Sequence, residues 1–278
     1  QHMNLGFDKE ETLTLWYNGN QEIREHLDAI KNEMQEVPGV QAVAASSSVP
    51  GGGINNLFSL IEIADGSMSP TNINTYRVDY DFIPNYGINV LAGRNFSRDF
   101  PADDTTAFII NEAAVKNLGF TSPEAAVGRK VDQQGKKGTI VGVVQDFNYK
   151  SLHYAVEPLI IHMNSNWYNV LSIKIQSDDI PEVVSQLDDK WMTLASGLPF
   201  NYSFLDQDYD KLYNAETQLS KVVTIFSSLA IFVACLGLLG LTSFSVQRRF
   251  KEIGIRKVLG ASVRSVVVLI ANEFIRLI

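Results

Sequence analysis

The residue types best suited to chemistry are sparse in this 278-residue sequence, and their spacing argues against most reactions. The four histidines, His2, His26, His153 and His162, are scattered, and the one cysteine, Cys235, lies in an uncharged run. Structural and catalytic metal sites need several such ligands close together in the chain, so no metal site is expected. Asp206, Asp208 and Asp210 alternate like the start of a calcium loop. However, Lys211 stands where that loop needs glycine and no Glu closes it, so the acids read as a solvated helix start. Gly51-Gly52-Gly53 lacks the Lys-Ser/Thr of a phosphate loop and reads as a turn. No Ser-His-Asp set or framed carboxylate pair occurs, so no catalytic residue and no cofactor is expected.

What remains is charge. The stretch RRFKEIGIRKVLGASVR, residues 248–264, holds six Lys or Arg and one acid, Glu252. Up to Lys221 the chain carries 29 of its 31 acids and 16 of its 23 basic residues, a net −13. A surface of that sign repels phosphate, which excludes nucleic acid as a partner and suits a soluble acidic domain.

A different segment separates these two regions. Val222 to Val246 is 25 residues without a charge, where a membrane-spanning helix needs about 20. Ser227, Ala230, Ala234, Gly237 and Gly240 recur at spacings of three and four, a face on which another helix could pack closely. Basic residues flanking a membrane helix stay in the cytoplasm. Arg248, Arg249, Lys251, Arg256, Lys257 and Arg264 therefore place residues 247–264 inside the cell and residues 1–221 outside, in the periplasm of a Gram-negative cell. A second apolar run, Ser265–Ile278, is read as the start of another membrane helix cut by the end of a fragment.

The outer part alternates short strands and capped helices. A strand over Glu11–Tyr17, an amphipathic helix over Asn20–Glu36 and a strand over Val40–Ala45 form one βαβ-like unit. A strand over Val170–Gln176, a helix capped by Asp179 with Pro181 in its first turn, and a strand over Phe200–Leu205 form another. The two are expected to pack together as one subdomain, residues 1–50 with 165–206. Strands at Leu57–Ile63, Ile73–Tyr80, Phe108–Ile110, Gly138–Val144 and Pro158–Met163 form a strand-rich insertion, residues 51–164, with short helices at Asn111 and at Pro123–Val127. The class is α+β. From Asp208 to Val246 there is no proline and the first glycine is Gly237, so a stalk over 207–221 should continue into the membrane helix over 222–246 as one rod. At 1.5 Å per residue that stalk would lift the outer domain about 20 Å from the bilayer.

Beyond the membrane run, Arg249–Leu259 suits a short helix with a charged face, Glu252 and Arg256 four apart, and an apolar face of Ile255, Val258 and Leu259. Gly260 is its natural terminator. Such a helix can lie on anionic lipid or dock in a partner's groove. The run KEIGIRK at 251–257, closing with LGA at 259–261, resembles the permease subunits of type VII ABC transporters, the FtsX-like and MacB-like family in its Bacteroidetes form. LGFDK at 5–9, AGRNF at 92–96, IINE at 109–112, IVGVVQDF at 140–147, EPL at 157–159, FLD at 204–206 and LGLLGL at 236–241 support the resemblance in order along the chain.

The resemblance implies a porter-like periplasmic core domain with an inserted subdomain, and a partner ATPase that binds and hydrolyses ATP. It implies contact with that ATPase through Arg249, Glu252, Ile253, Arg256, Lys257 and Leu259, and transmission of its motion to the periplasm. A second permease copy or repeat half, membrane lipid, and a periplasmic adaptor or lipoprotein are the other implied partners. The expected cargo is a lipoprotein, peptide or drug-like molecule. The rivals are a cell-division regulator of wall hydrolases, which would have a smaller outer domain, and a membrane-anchored sensor, which would continue into a soluble domain after Arg264.

Overall fold

The computed structural model describes residues 5–150, 155–195, 197–260, 262 and 268, without the side chains of 211–218 and 220. Two compact units emerge, residues 1–211 and residues 212–278.

The first unit begins with β1 (Thr12–Trp16), α1 (Gln21–Glu25), α2 (Leu27–Gln35) and β2 (Val40–Ser46). One helix was expected from Asn20 to Glu36; instead the chain breaks at His26, φ −110°. There the backbone N–H still donates to the Glu22 carbonyl at 3.3 Å, and the ring Nδ1 lies 3.0 Å from the same oxygen. The break does not disturb the apolar stripe: Ile23, Leu27, Ile30 and Met34 all remain buried. Gly39, at φ +91°, turns the chain from helix into β2.

Next come β3 (Asn55–Glu62), β4 (Met68–Arg77), α3 (Phe82–Asn85), β5 (Val90–Gly93), α4 (Asp103–Thr106), β6 (Ala107–Asn111), α5 (Glu112–Asn117), α6 (Pro123–Ala126), β7 (Lys130–Gln133), β8 (Lys136–Val144) and β9 (Leu159–His162). The unit closes with β10 (Val170–Ile175), α7 (Ile180–Leu194), β11 (Tyr202–Phe204) and the start of α8 (Leu205–Arg248); α9 (Phe250–Val258) follows.

The first and last strands form one four-stranded sheet, β11-β1-β10-β2, with every neighbouring pair antiparallel. β10 lies between β1 and β2, so each βαβ-like unit is a split one and the two interleave. Alternation sends Leu13, Leu15, Val43, Leu171 and Ile173 to one face, against Ile30 and Met34 of α2 and Val183, Leu187 and Trp191 of α7. Asp179 caps α7 by accepting from the Glu182 N–H at 3.2 Å, and Pro181 sits in its first turn. Thr14 and Ser172 lie on the opposite face and are buried as well. Ser172 Oγ accepts from Tyr86 OH at 2.8 Å.

The strands between form a seven-stranded sheet, β5-β8-β6-β9-β4-β3-β7. β7 also pairs with β8, so six strands close into a barrel and β5 extends β8 beyond it. Ile61, Ile73, Phe108, Ile110, Ile140 and Ile160 share its core. Gly93 makes the β5 edge possible: it sits at φ +72°, and an added Cβ would lie 2.2 Å from the Val141 carbonyl oxygen.

An aromatic seam of Phe7, Tyr76, Phe82, Tyr86, Phe147 and Tyr149 links β4, α3 and the segment after β8, with ring centroids 4.8–6.4 Å apart. The first turn of α8 enters it: Leu205 and Tyr209 are buried, and the Tyr209 ring lies 6.0 Å from Phe7. Asp206 and Asp208 stand in the first turn of α8, as a helix start and not a calcium loop requires.

Candidate functional site

Within the basic stretch Phe250–Val258 forms the helix α9. Arg249 occupies the N-cap of α9 at φ −109°, and its carbonyl accepts from the Ile253 N–H at 2.9 Å. At the other end the Leu259 N–H donates to Ile255 O and the Gly260 N–H to Lys257 O, while Gly260 takes φ +90°. Only glycine reaches that left-handed value without strain, so Gly260 terminates α9 as its sequence position predicts. Arg256 Nη2 and Glu252 Oε1 are 2.8 Å apart, the i, i+4 pair read from the sequence. Glu252 in the first turn and Arg256 and Lys257 in the last all complement the helix dipole.

α9 leaves its apolar residues open. Val258 is 88% exposed and Leu259 81%, Phe250 and Ile255 are exposed, and Ile253 is half-buried. The structure thus places Arg249, Glu252, Ile253, Arg256, Lys257 and Leu259 on or beside one nine-residue helix, with charge and apolar surface presented together. Just before it, the Arg248 guanidinium stacks 5.0 Å from the Phe244 ring.

Lys221–Arg248 of α8 is long and apolar enough to cross a membrane, and none of its most apolar window is buried within the chain. Two of its polar side chains bond to their own helix: Ser228 Oγ donates to Thr224 O at 2.8 Å and Thr242 Oγ1 to Leu238 O at 2.7 Å. That is the requirement where no water is available. Ser227, Ala230, Ala234, Gly237 and Gly240 are all exposed, and a Cβ built at Gly237 or Gly240 meets open space. The apolar run Ser265–Ile278 lies outside the described residues apart from Val268.

Within the first unit, pairing brings together residues that no spacing in the sequence connects. Lys136 Nζ lies 3.3 Å from His162 Nδ1, and Lys31 of α2 is buried against Asp79, with Asp81 Oδ2 2.7 Å away. The sequence carries no signal for either cluster beyond the apolar strands around them. No group of three or more metal-binding side chains occurs among the described residues.

An outer α+β unit, one apolar helix long enough to span a bilayer and a basic amphipathic helix after it define a membrane protein of the permease type. Residues 5–190 match the family described as MacB-like periplasmic core domain, and residues 224–278 match the FtsX-like permease C-terminal family. The chain belongs to the MacB-like, FtsX-like family of ABC transporter permeases. It is 26% identical over 237 residues to the macrolide export ATP-binding/permease protein MacB of Campylobacter jejuni, covering 80% of this chain and 34% of that one. The same-named protein of Aggregatibacter actinomycetemcomitans is 22% identical over 205 residues, 70% of this chain and 32% of the relative. The chain thus spans about a third of the length of the curated relatives it matches. The crystal structure of the periplasmic region of MacB from Actinobacillus actinomycetemcomitans superposes with a TM-score of 0.53 at 14% identity, covering 77% of this chain and 97% of that one. At that identity the likeness speaks for the fold, which is the α+β architecture of a MacB periplasmic region.

Proposed function

We propose that this chain is the force-transmitting part of an ABC permease, passing ATP-driven movement of a partner ATPase through α9 and α8 to the periplasmic unit. The observation that carries the reading is α9 itself. A topology signal needs positive charge alone, yet α9 adds a glycine terminator, an internal ion pair and exposed apolar residues. That combination suits docking in a groove of another protein. Arg249, Glu252, Ile253, Arg256, Lys257 and Leu259 are the assigned contacts, on the cytoplasmic side by the bias of basic residues.

In this reading residues 1–50 with 165–206 form the porter-like part, 51–164 the inserted part, 207–221 the stalk and 222–246 the membrane helix. The stripe from Ser227 to Gly240 packs against another helix of the permease, from a second copy or a repeat half. The relatives' name joins ATP binding and permease in one protein, which supports the pairing of these two activities. The cargo class is a lipoprotein, peptide or drug-like molecule moved outward, with a periplasmic adaptor or lipoprotein as a further partner.

Reversing Arg256 and Lys257 to Glu in the complete permease tests the docking. The expected outcome is loss of ATPase co-purification while the circular dichroism of the outer unit is unchanged. Undiminished co-purification refutes the assignment.

A further inference from the structure

The triplet Gly51-Gly52-Gly53 forms the turn its composition predicts, with the Gly52 N–H donating to Val49 O at 2.9 Å. This turn lies in the crossover that carries the chain from β2 of the four-stranded sheet to β3 of the barrel. Gly51 takes φ +82°, and a Cβ added there would lie 2.3 Å from the Tyr209 hydroxyl oxygen and 2.5 Å from its Cζ. Alanine at 51 would therefore displace the ring. Glycine leaves a notch, and Tyr209 of α8 occupies it. Phe7 lines another side of the same ring, 6.0 Å between centroids, and Lys9 Nζ lies 5.7 Å over it.

The start of α8 is thus attached twice. The first attachment leads to the four-stranded sheet: β11 runs directly into α8, and Ser203 Oγ lies 2.5 Å from Asp208 Oδ2 and 2.9 Å from Thr14 Oγ1 of β1. The second, through Tyr209, leads to the barrel. The Gly51 N–H donates to Tyr149 O at 3.0 Å, and the Tyr149 hydroxyl accepts from Asn74 Nδ2 of β4 at 3.0 Å. The Tyr76 hydroxyl, also from β4, donates to Val49 O at 2.7 Å and holds the other end of the turn. Asn74, Tyr76, Tyr149 and Tyr209 are all buried. A packed interior has little free volume in which a displacement could be absorbed, so a contiguous chain of buried contacts passes it on.

We propose that, given the transmission read above, Tyr209 seated in the Gly51 notch is the joint through which movement of α8 reaches the barrel. Without that movement the joint would only anchor the helix. Because β11 fastens α8 to the sheet independently, loss of the Tyr209 contact should leave the helix attached and the barrel unresponsive. The distance between barrel and sheet is therefore the quantity to follow.

The test uses the complete permease with its partner ATPase in lipid nanodiscs, on a Cys235→Ala background. Nitroxide labels at Asn72→Cys of β4 and Asp188→Cys of α7, both exposed positions, report the barrel–sheet distance with and without ATP and vanadate. A separate label at Lys251→Cys reports whether nucleotide is felt at α9. A nucleotide-dependent shift in the barrel–sheet distance is expected in the parent permease. Tyr209→Ala should remove half or more of that shift while the α9 label responds as before, and Tyr209→Phe, which keeps the ring, should retain it. Gly51→Ala should act like Tyr209→Ala, and the two together should lose no more than either alone. Leu187→Ala truncates another buried side chain, under α7, and should leave the shift unchanged. If stability alone were at issue, it would share the loss. Where Tyr209→Ala does not fold, Tyr209→Leu, too short to reach Gly51, takes its place. A full shift in folded Tyr209→Ala, or an equal loss in Leu187→Ala, overturns the joint and leaves the transmission reading standing. No shift in the parent permease overturns the transmission reading, and the joint with it.

Discussion

Residues 1–211 and 212–278 use the same kinds of apolar side chain in opposite ways. In the first unit Leu13, Leu15, Phe82 and Trp191 are fully buried; in the second Phe226, Ile231, Leu236 and Leu239 are more than half exposed. The first unit therefore derives its stability from excluding water from its own core. The second has no such core among its described residues, and its long helix needs an apolar surrounding from outside the chain. Charge follows the same division, with acids concentrated up to Lys221 and the basic cluster after Val246. One chain thus meets two solvents, and each unit should respond to substitutions by the rules of its own.

The sharpest contrast comes from emptying the water-excluding core. Trp191 is completely buried between α7 and the four-stranded sheet, and its Nε1–H donates to Leu198 O at 3.0 Å. Trp191→Ala should destabilise the outer unit by about 3–5 kcal/mol. Chemical denaturation followed by near-ultraviolet circular dichroism would read that loss. Membrane integration of the chain should be unchanged. If integration fails with the fold, the two units do not follow separate rules.

Leu236 provides the converse. It is 54% exposed, which in water would make Leu236→Lys nearly neutral. In a bilayer the charge at mid-helix costs about 2.5–3.5 kcal/mol. Loss of the chain from the membrane fraction, with a normally folded outer unit, is the expected outcome. Unchanged integration would mean that this surface does not face lipid.

The sequence made much of this contrast legible, because the strongest signals are local. Capping by Asp179 and Asn111, termination at Gly39 and Gly260, and the alternation of β1 and β10 each depend on residues close in the chain. The Glu252–Arg256 pair is legible for the same reason. The missed elements depend on distant partners. β5 and β7 are four residues each and exist because β8 offers both an edge. α3 and α4 are single turns fixed by contacts elsewhere, α4 beginning at Asp103, which Arg94 holds from nine residues away. Nor could spacing reveal that β10 separates β1 from β2, or that Lys136 of β8 meets His162 of β9. The basic helix was found through its composition, whereas the Lys136–His162 and Lys31–Asp79 contacts needed three-dimensional register.

A smaller effect distinguishes the outer unit by pH. The Asp103 carboxylate takes both Arg94 guanidinium nitrogens, at 2.5 and 2.8 Å, and the Ser97 N–H at 3.0 Å. Burial raises its pKa, but these bonds outweigh burial and leave it below the ordinary 3.8. A depressed carboxylate contributes stability above its unfolded pKa and loses it as pH falls through the folded value. Asp103→Asn should therefore lower the unfolding midpoint at pH 7. The difference should shrink as pH falls below 3.8 and disappear once the folded value has been passed. A pH-independent difference would show that the ion pair is not its source.

The smallest expected effect bears most directly on what α9 is for. Glu252 and Arg256 are both half-exposed, so their ion pair should support the helix by only about 0.2–0.5 kcal/mol. Glu252→Ala should leave α9 helical, with amide exchange at Ile253 to Lys257 in the full chain faster by less than about threefold, which is that energy expressed as a rate ratio. Because Glu252 is also one of the proposed contacts, association with the proposed partner ATPase should weaken by more than that factor; a loss no larger than it would mean that Glu252 serves only the helix. A loss of tenfold or more, with α9 still protected, would mean that Glu252 touches the partner directly. A larger collapse of protection would instead show that one ion pair holds α9 together, and that its exposed apolar residues do not have the rigid presentation a docking helix needs.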